Sequence, residues 1–259
     1  MANWNDDQTT RQGFGVSPAQ AGDVAGRTTM DAGLRKHMLS IYNYMASGVL
    51  LTGIVAMLTA NTGFVYTIMS GGLLSWIVML SPLAIVFAMS FGRDRFSTST
   101  LQAMFWGFAV LMGLSLSTIF VVYTGASIAL TFFATAAAFA GLSLFGYTTQ
   151  KDLSGFGTFL IMGVVGLIVA SLLNIFLQSP ALMWAISAIG VLIFAGLTAY
   201  DTQRLKSEYL QIQHLKVTNP GVAAAFPLGK MVILGALSLY LDFINMFLFL
   251  LRFMGAARE

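Results

Sequence analysis

Seven stretches of this chain are apolar for about the length needed to cross a bilayer, and nothing else in the sequence constrains the fold as much. They run Met38–Ala60, Leu73–Phe91, Leu101–Tyr123, Ala126–Tyr147, Gly157–Gln178, Ala181–Tyr200 and Met231–Phe253. A helix needs roughly 20 apolar residues to cross about 30 Å of hydrocarbon. An open strand edge would leave its backbone groups unsatisfied in lipid. The predicted fold is therefore all-α, a polytopic bundle of seven transmembrane helices. Composition agrees, since 57% of the 259 residues are hydrophobic and only 9% are charged, against roughly 25% charged in soluble domains. Residues 1–33 read as a flexible polar tail, 34–255 as the transmembrane domain and 256–259 as a short C-terminal tail.

Basic residues divide the links into two kinds. Arg27, Arg35 and Lys36 precede the first segment; Arg93 and Arg95 follow the second, and Lys151 follows the fourth. Arg204, Lys206, Lys216 and Lys230 lie between the sixth and seventh. The alternate links hold no basic residue. Because cytoplasmic links carry the excess of Lys and Arg, this split predicts a cytoplasmic N-terminus and seven crossings. Arg252 and Arg258 at the far end run against it, and a re-entrant sixth or seventh segment would instead place both termini inside.

Few chemistries survive the inventory of reactive groups. There is no cysteine, and His37 and His214 fall outside the apolar runs, so thiolate sites and an intramembrane histidine metal site are excluded. No enzymatic activity, bound cofactor or nucleic-acid partner is expected. What stands out is Asp242, twelve residues into the last apolar run, where a charge costs about 2.5–3.5 kcal/mol on insertion scales. At about 100° per residue, Gly235, Ser238, Asp242, Asn245 and Met246 share one stripe, while Leu237, Leu241, Ile244 and Leu248 fall opposite. The sixth segment repeats the pattern with Ser187, Gly190, Thr198 and Asp201 on one face, beside Phe194 and Leu197. Arg204, one turn past Asp201, is a candidate partner for it. Taken alone, Asp201 could be an interfacial carboxylate at a helix end, and Asp242 could make one structural hydrogen bond. Asn43 and Asn174 either line a polar path or bond between helices.

If the two carboxylates meet, they cannot both ionise cheaply in a low-dielectric site, and the pair shares a proton. That proton clamps the sixth and seventh helices together. Its loss leaves two anions suited to a hard, oxygen-seeking cation such as Ca²⁺, held transiently by Asp201 and Asp242. Ser187, Thr198, Ser238 and Asn245 are the pore-facing candidates. The stretch after Asp201 places Leu205, Tyr209, Ile212 and Leu215 at helical spacing, so the sixth helix either continues past the membrane or gives way to an amphipathic surface helix.

"AYDTQRLK" (Ala199 to Lys206), "LSLYLDFINMFLFLLRF" (Leu237 to Phe253) and "QKDLSGFGTFL" (Gln150 to Leu160) resemble the transmembrane Bax inhibitor motif family, including its bacterial members. The resemblance covers about Leu34 to Gly255. It implies a fold whose seventh helix is central, wrapped by two groups of three. It also implies a pH-sensitive calcium leak governed by two aspartates, which match Asp201 and Asp242, in the inner membrane of a bacterium. A basic latch at the end of the second helix would match Arg93, or less well Arg95. Some members also carry an acidic residue in the second helix, where this chain has Ser81–Pro82. The partners so implied are the bilayer, calcium ions and protons. Two other readings stand beside this one: a non-conducting adaptor or cell-stress regulator, and an intramembrane aspartyl protease. The protease would need a glycine-flanked second aspartate, and Asp242 sits in "LYLDFIN".

Overall fold

The computed structural model describes residues 18–219, 221 and 227–258, with side chains from residue 31 onward. The elements are α1 (Pro18–Ala60), α2 (Phe64–Met69), α3 (Leu73–Phe91), α4 (Thr98–Leu116), α5 (Ile119–Val122), α6 (Gly125–Thr148), α7 (Ser154–Leu177), α8 (Pro180–Thr218) and α9 (Leu228–Met254). Seven of these segments are long and apolar enough to cross a membrane, with α4 and α5 counted as one.

The element boundaries follow from local chemistry. Ser97, Thr124 and Ser179 cap α4, α6 and α8 by accepting a backbone N–H with their hydroxyl oxygens, the usual way to satisfy a donor left free at a helix start. Pro180 stands in the first turn of α8, where its missing N–H is harmless. Gln178 ends α7 in the left-handed region at φ 48°, and Asn174 accepts the Ser179 N–H at 3.1 Å. Asn174 thus closes the end of its own helix. The third predicted segment breaks at Ser117 and Thr118, whose hydroxyls donate to the carbonyls of Leu114 and Ser115 three residues back, in competition with the helical ladder.

Three elements differ from the sequence reading. First, α1 begins at Pro18, so the stretch taken as a flexible tail to residue 33 is helical over its second half; residues 1–17 lie outside the described residues. Second, α8 is 39 residues long, about 58 Å at 1.5 Å per residue, and Asp201 lies inside it. Continuation, and not a separate surface helix, is the observed solution. The extension is held down because Leu205, Tyr209 and Ile212 are buried, with Tyr209 stacked on His37 at 4.7 Å between ring centres. Third, His37 belongs to the first membrane segment and is itself buried, its Nε2 without a hydrogen-bond partner.

α9 packs against α8, α1, α6 and α4, while α7 packs mainly on α8 and α3 on α4. Within the apolar window of α9, 61% of residues are buried, against 11% for α7. Leu237 and Ile244, which the helical wheel sets opposite the polar stripe, are buried as well. A two-sided wheel fails for a helix that packs against α8, α1, α6 and α4 at once. Glycine permits close approach at several places, two of them on the faces of α8. A Cβ on Gly146 of α6 would collide with the Ala199 carbonyl oxygen of α8, and one on Gly190 of α8 would sit 2.6 Å from the Phe249 ring of α9.

The links sort into two ends. Lys230 donates to the Arg93 carbonyl at 3.2 Å, Gln203 to the Lys151 carbonyl at 2.8 Å, and Lys206 to the Tyr147 carbonyl at 2.7 Å. The charged links therefore gather at one end. The predicted C-terminal tail docks at the other: Ala257 bridges to Tyr123, and Arg258 donates its N–H to the Val122 carbonyl at 2.9 Å. The start of the first membrane segment and residues 256–258 thus lie at opposite ends of the bundle, the arrangement expected of seven crossings.

Candidate functional site

The site is built where α8 and α9 run side by side at the charged end. Glycine and hydroxyl residues let the two helices close: Gly235 receives the Leu205 side chain, and Ser238 lies opposite Asp201. The Ser238 hydroxyl donates to Asp201 Oδ2. Arg204 donates through Nη2 to Ser238 Oγ at 3.1 Å and lies 3.3 Å from Asp201 Oδ1. Its Nε stands 3.7 Å from Glu208 Oε1 without a hydrogen-bond partner. Asp201, Ser238 and Arg204 thus form one cross-helix contact, with Glu208 at its outer edge.

Asp242 lies one turn beyond Ser238 on α9, about 6 Å further along the axis. It is 5% exposed, and its Oδ2 is buried without a hydrogen-bond partner. The polar contacts of Asp201 go to Ser238 and Arg204, and none goes to Asp242. The sequence predicts that the two acids share a proton; in this arrangement the direct partners of Asp201 are a serine hydroxyl and a guanidinium. The depth mismatch between the two acids also has its explanation. Asp201 is not at a helix end, because α8 carries on for another seventeen residues to Thr218.

The remaining candidates divide cleanly. Ser187 and Thr198 donate to the carbonyls of Met183 and Phe194, four residues back, and both are buried. Asn245 donates to the Leu241 carbonyl at 2.8 Å. All three satisfy their own helix; only Ser238 reaches across. Arg93 is exposed and pairs with Asp94 at 3.6 Å, so it makes no direct contact with the two acids. It does share with Arg204, Glu208 and Gly235 the lining of a polar cavity of about 140 Å³. That cavity opens at the charged end, immediately outside the Asp201 contact.

Sequence reasoning missed several participants. Glu208 was legible as the i+4 partner of Arg204. Less legible was the buried relay in which Tyr240 Oη meets Thr52 Oγ1 at 2.7 Å and Thr52 donates to the Ala109 carbonyl at 2.8 Å. It ties α9 to α1 and α4. Among the described residues, no group of three or more metal-ligating His, Cys, Asp or Glu side chains occurs.

A seven-helix integral membrane protein with a buried acid on each of its last two helices is the class that this fold and site define. Residues 34–259 match the family profile described as "Inhibitor of apoptosis-promoting Bax1". The chain belongs to the Bax inhibitor family. It is 46% identical to the inner membrane protein YbhL of Escherichia coli K12 over 88% of this chain and 94% of that one. It is also 46% identical to an uncharacterised Caulobacter vibrioides protein over 93% and 95% of the two chains. Identity is 33% to an uncharacterised membrane protein of Streptococcus pyogenes over 88% and 96%.

Proposed function

We propose that the protein is a pH-sensitive calcium leak of a bacterial inner membrane, with the charged end in the cytoplasm and α9 as its central helix. The observation that carries this reading is Asp242, a carboxylate buried midway along α9 with an oxygen lacking a partner, one turn from a contact that fastens Asp201 to Ser238 and Arg204. A buried, unpartnered carboxylate oxygen has a structural cost of a kind that proteins retain at functional positions. The arrangement is that of a closed gate. Asp201 and its partners bind α8 to α9 above Asp242, and the polar cavity lined by Arg93 and Arg204 supplies the cytoplasmic mouth. A change in the number of protons held by the two acids alters the charge that Arg204 must balance, and with it the hold of α8 on α9. Calcium is the transported ion and not a resident cofactor.

Support for a non-conducting adaptor comes from the same contact, since a carboxylate, a hydroxyl and a guanidinium can simply fasten two helices. The protease reading loses ground because α9 runs unbroken from Leu228 to Met254, leaving no opened backbone beside Asp242. Calcium flux into liposomes bearing the purified protein, followed from about pH 5 to 8, tests the proposal. D201N and D242N are each expected to displace the pH profile of the flux. Identical profiles for wild type and both variants would remove the sensor, and absence of flux at every pH would favour the adaptor.

A further inference from the structure

α1 and α6 flank α9 but are not among the helix pairs that pack closely on one another. Between them, at the charged end, lies a cavity of about 470 Å³, within the roughly 300–1,000 Å³ of ligand sites. Its floor is apolar and buried, formed by Met38 and Phe139, and Phe139 in turn packs on Phe243 of α9 at 5.6 Å. Its rim is Leu39 and Leu144, both exposed on the outer wall of the bundle. The slot therefore opens sideways, toward hydrocarbon.

One end of the slot is different. Arg35 and Tyr147 line it there. Lys206 Nζ lies 5.2 Å from the centre of the Tyr147 ring and donates to the Tyr147 carbonyl, which leaves further N–H donors on the ammonium. Two cations and an aromatic ring thus sit at the level where the membrane segments of α1 and α6 end. An apolar slot in the membrane wall, ending in Arg35 and Tyr147 with Lys206 over the Tyr147 ring, matches the chemistry of a phospholipid: acyl chain along the floor, phosphate beside the cations. Basic pockets between helices on the cytoplasmic side are suited to anionic head groups. A zwitterionic lipid would bring its own ammonium against Arg35 and Lys206.

We propose that the slot between α1 and α6 is a binding site for an anionic phospholipid, its phosphate held by Arg35 and Lys206 and one acyl chain lying over Met38 and Phe139. This site is separate from the acids of α8 and α9, and its existence does not depend on the leak. The test is native mass spectrometry of the full-length protein in detergent, titrated with phosphatidylglycerol or with phosphatidylcholine of the same chains. Wild type should retain phosphatidylglycerol in preference. R35Q, at an exposed position, should bind it about fivefold more weakly, the worth of one basic residue near an anionic surface. A140W, which fills the slot from its exposed rim, should lose both lipids, and R95Q should behave as wild type. Inorganic phosphate should not displace the lipid. Equal retention of the two lipids by wild type, unchanged binding by R35Q or undiminished binding by A140W would overturn the site. So would self-association of the wild type that A140W abolishes, because a second copy would then be the occupant.

Discussion

The contact between Asp201 and Arg204 is lopsided, and the lopsidedness predicts a measurable asymmetry between two single substitutions. The Asp201 side chain is 9% exposed and that of Arg204 is 39% exposed. In D201N, Arg204 loses its carboxylate but can turn to water and to Glu208; the amide oxygen of the asparagine still accepts from Ser238. The loss is that of a partly exposed ion pair, about 1 kcal/mol. In R204Q the group left behind is the buried one. Asp201 keeps Ser238 but has no cation, and stranding a buried charge costs about 3 kcal/mol even at the lower end. On the scale of roughly 2–4 °C per kcal/mol for domains of this size, D201N should lower Tm by about 2–4 °C and R204Q by roughly 6–12 °C. The R204Q penalty should also shrink as the pH falls, since a protonated Asp201 no longer requires a counter-charge, whereas the D201N penalty should change little. Thermal unfolding in detergent, followed by tryptophan fluorescence across pH, reads both quantities. The reasoning fails if R204Q is no worse than D201N, or if its penalty is flat with pH. In either case Arg204 is not what keeps the Asp201 carboxylate buried.

Two further outcomes follow from geometry elsewhere in the fold. G146A places a methyl group against the Ala199 carbonyl of α8; backbone cannot step aside as a side chain can, so unfolding should come earlier by about 1–3 kcal/mol, and flux should fall with it. Asp152, in the exposed link before α7, accepts from the N–H and hydroxyl of Ser154 at 2.9 and 2.7 Å, and these bonds hold its carboxyl below the ordinary carboxylate value. A depressed acid contributes its share above its unfolded-state pKa and loses it only as the pH drops through the lower folded value. Asp152 is therefore ionised throughout about pH 5 to 8, and D152N should leave the pH profile of the flux unchanged. A shifted profile would mean that the sensor is not confined to α8 and α9.

What could be read from the order of residues alone was whatever depends on solvation or on near neighbours. Seven apolar runs imply seven crossings because hydrocarbon tolerates no unpaired backbone, and the split of basic residues among the links is reproduced in the two ends of the bundle. The acid in α9 announces itself because its cost is set by depth along one helix. The i+3 and i+4 partners of Arg204 could be read from spacing, as could the buried face of α8 from Ser187 to Asp201. Tertiary structure decided the rest. It set Ser238 across from Asp201, left Asp242 one turn deeper, returned Ser187, Thr198 and Asn245 to their own helices, and enclosed Leu237 and Ile244. Which hydroxyl crosses to a neighbour and which folds back is a matter of ångströms between helix axes. Those spacings are set jointly by glycines such as Gly146 and Gly190 and by what faces them, and one helix read in isolation carries no record of its neighbours.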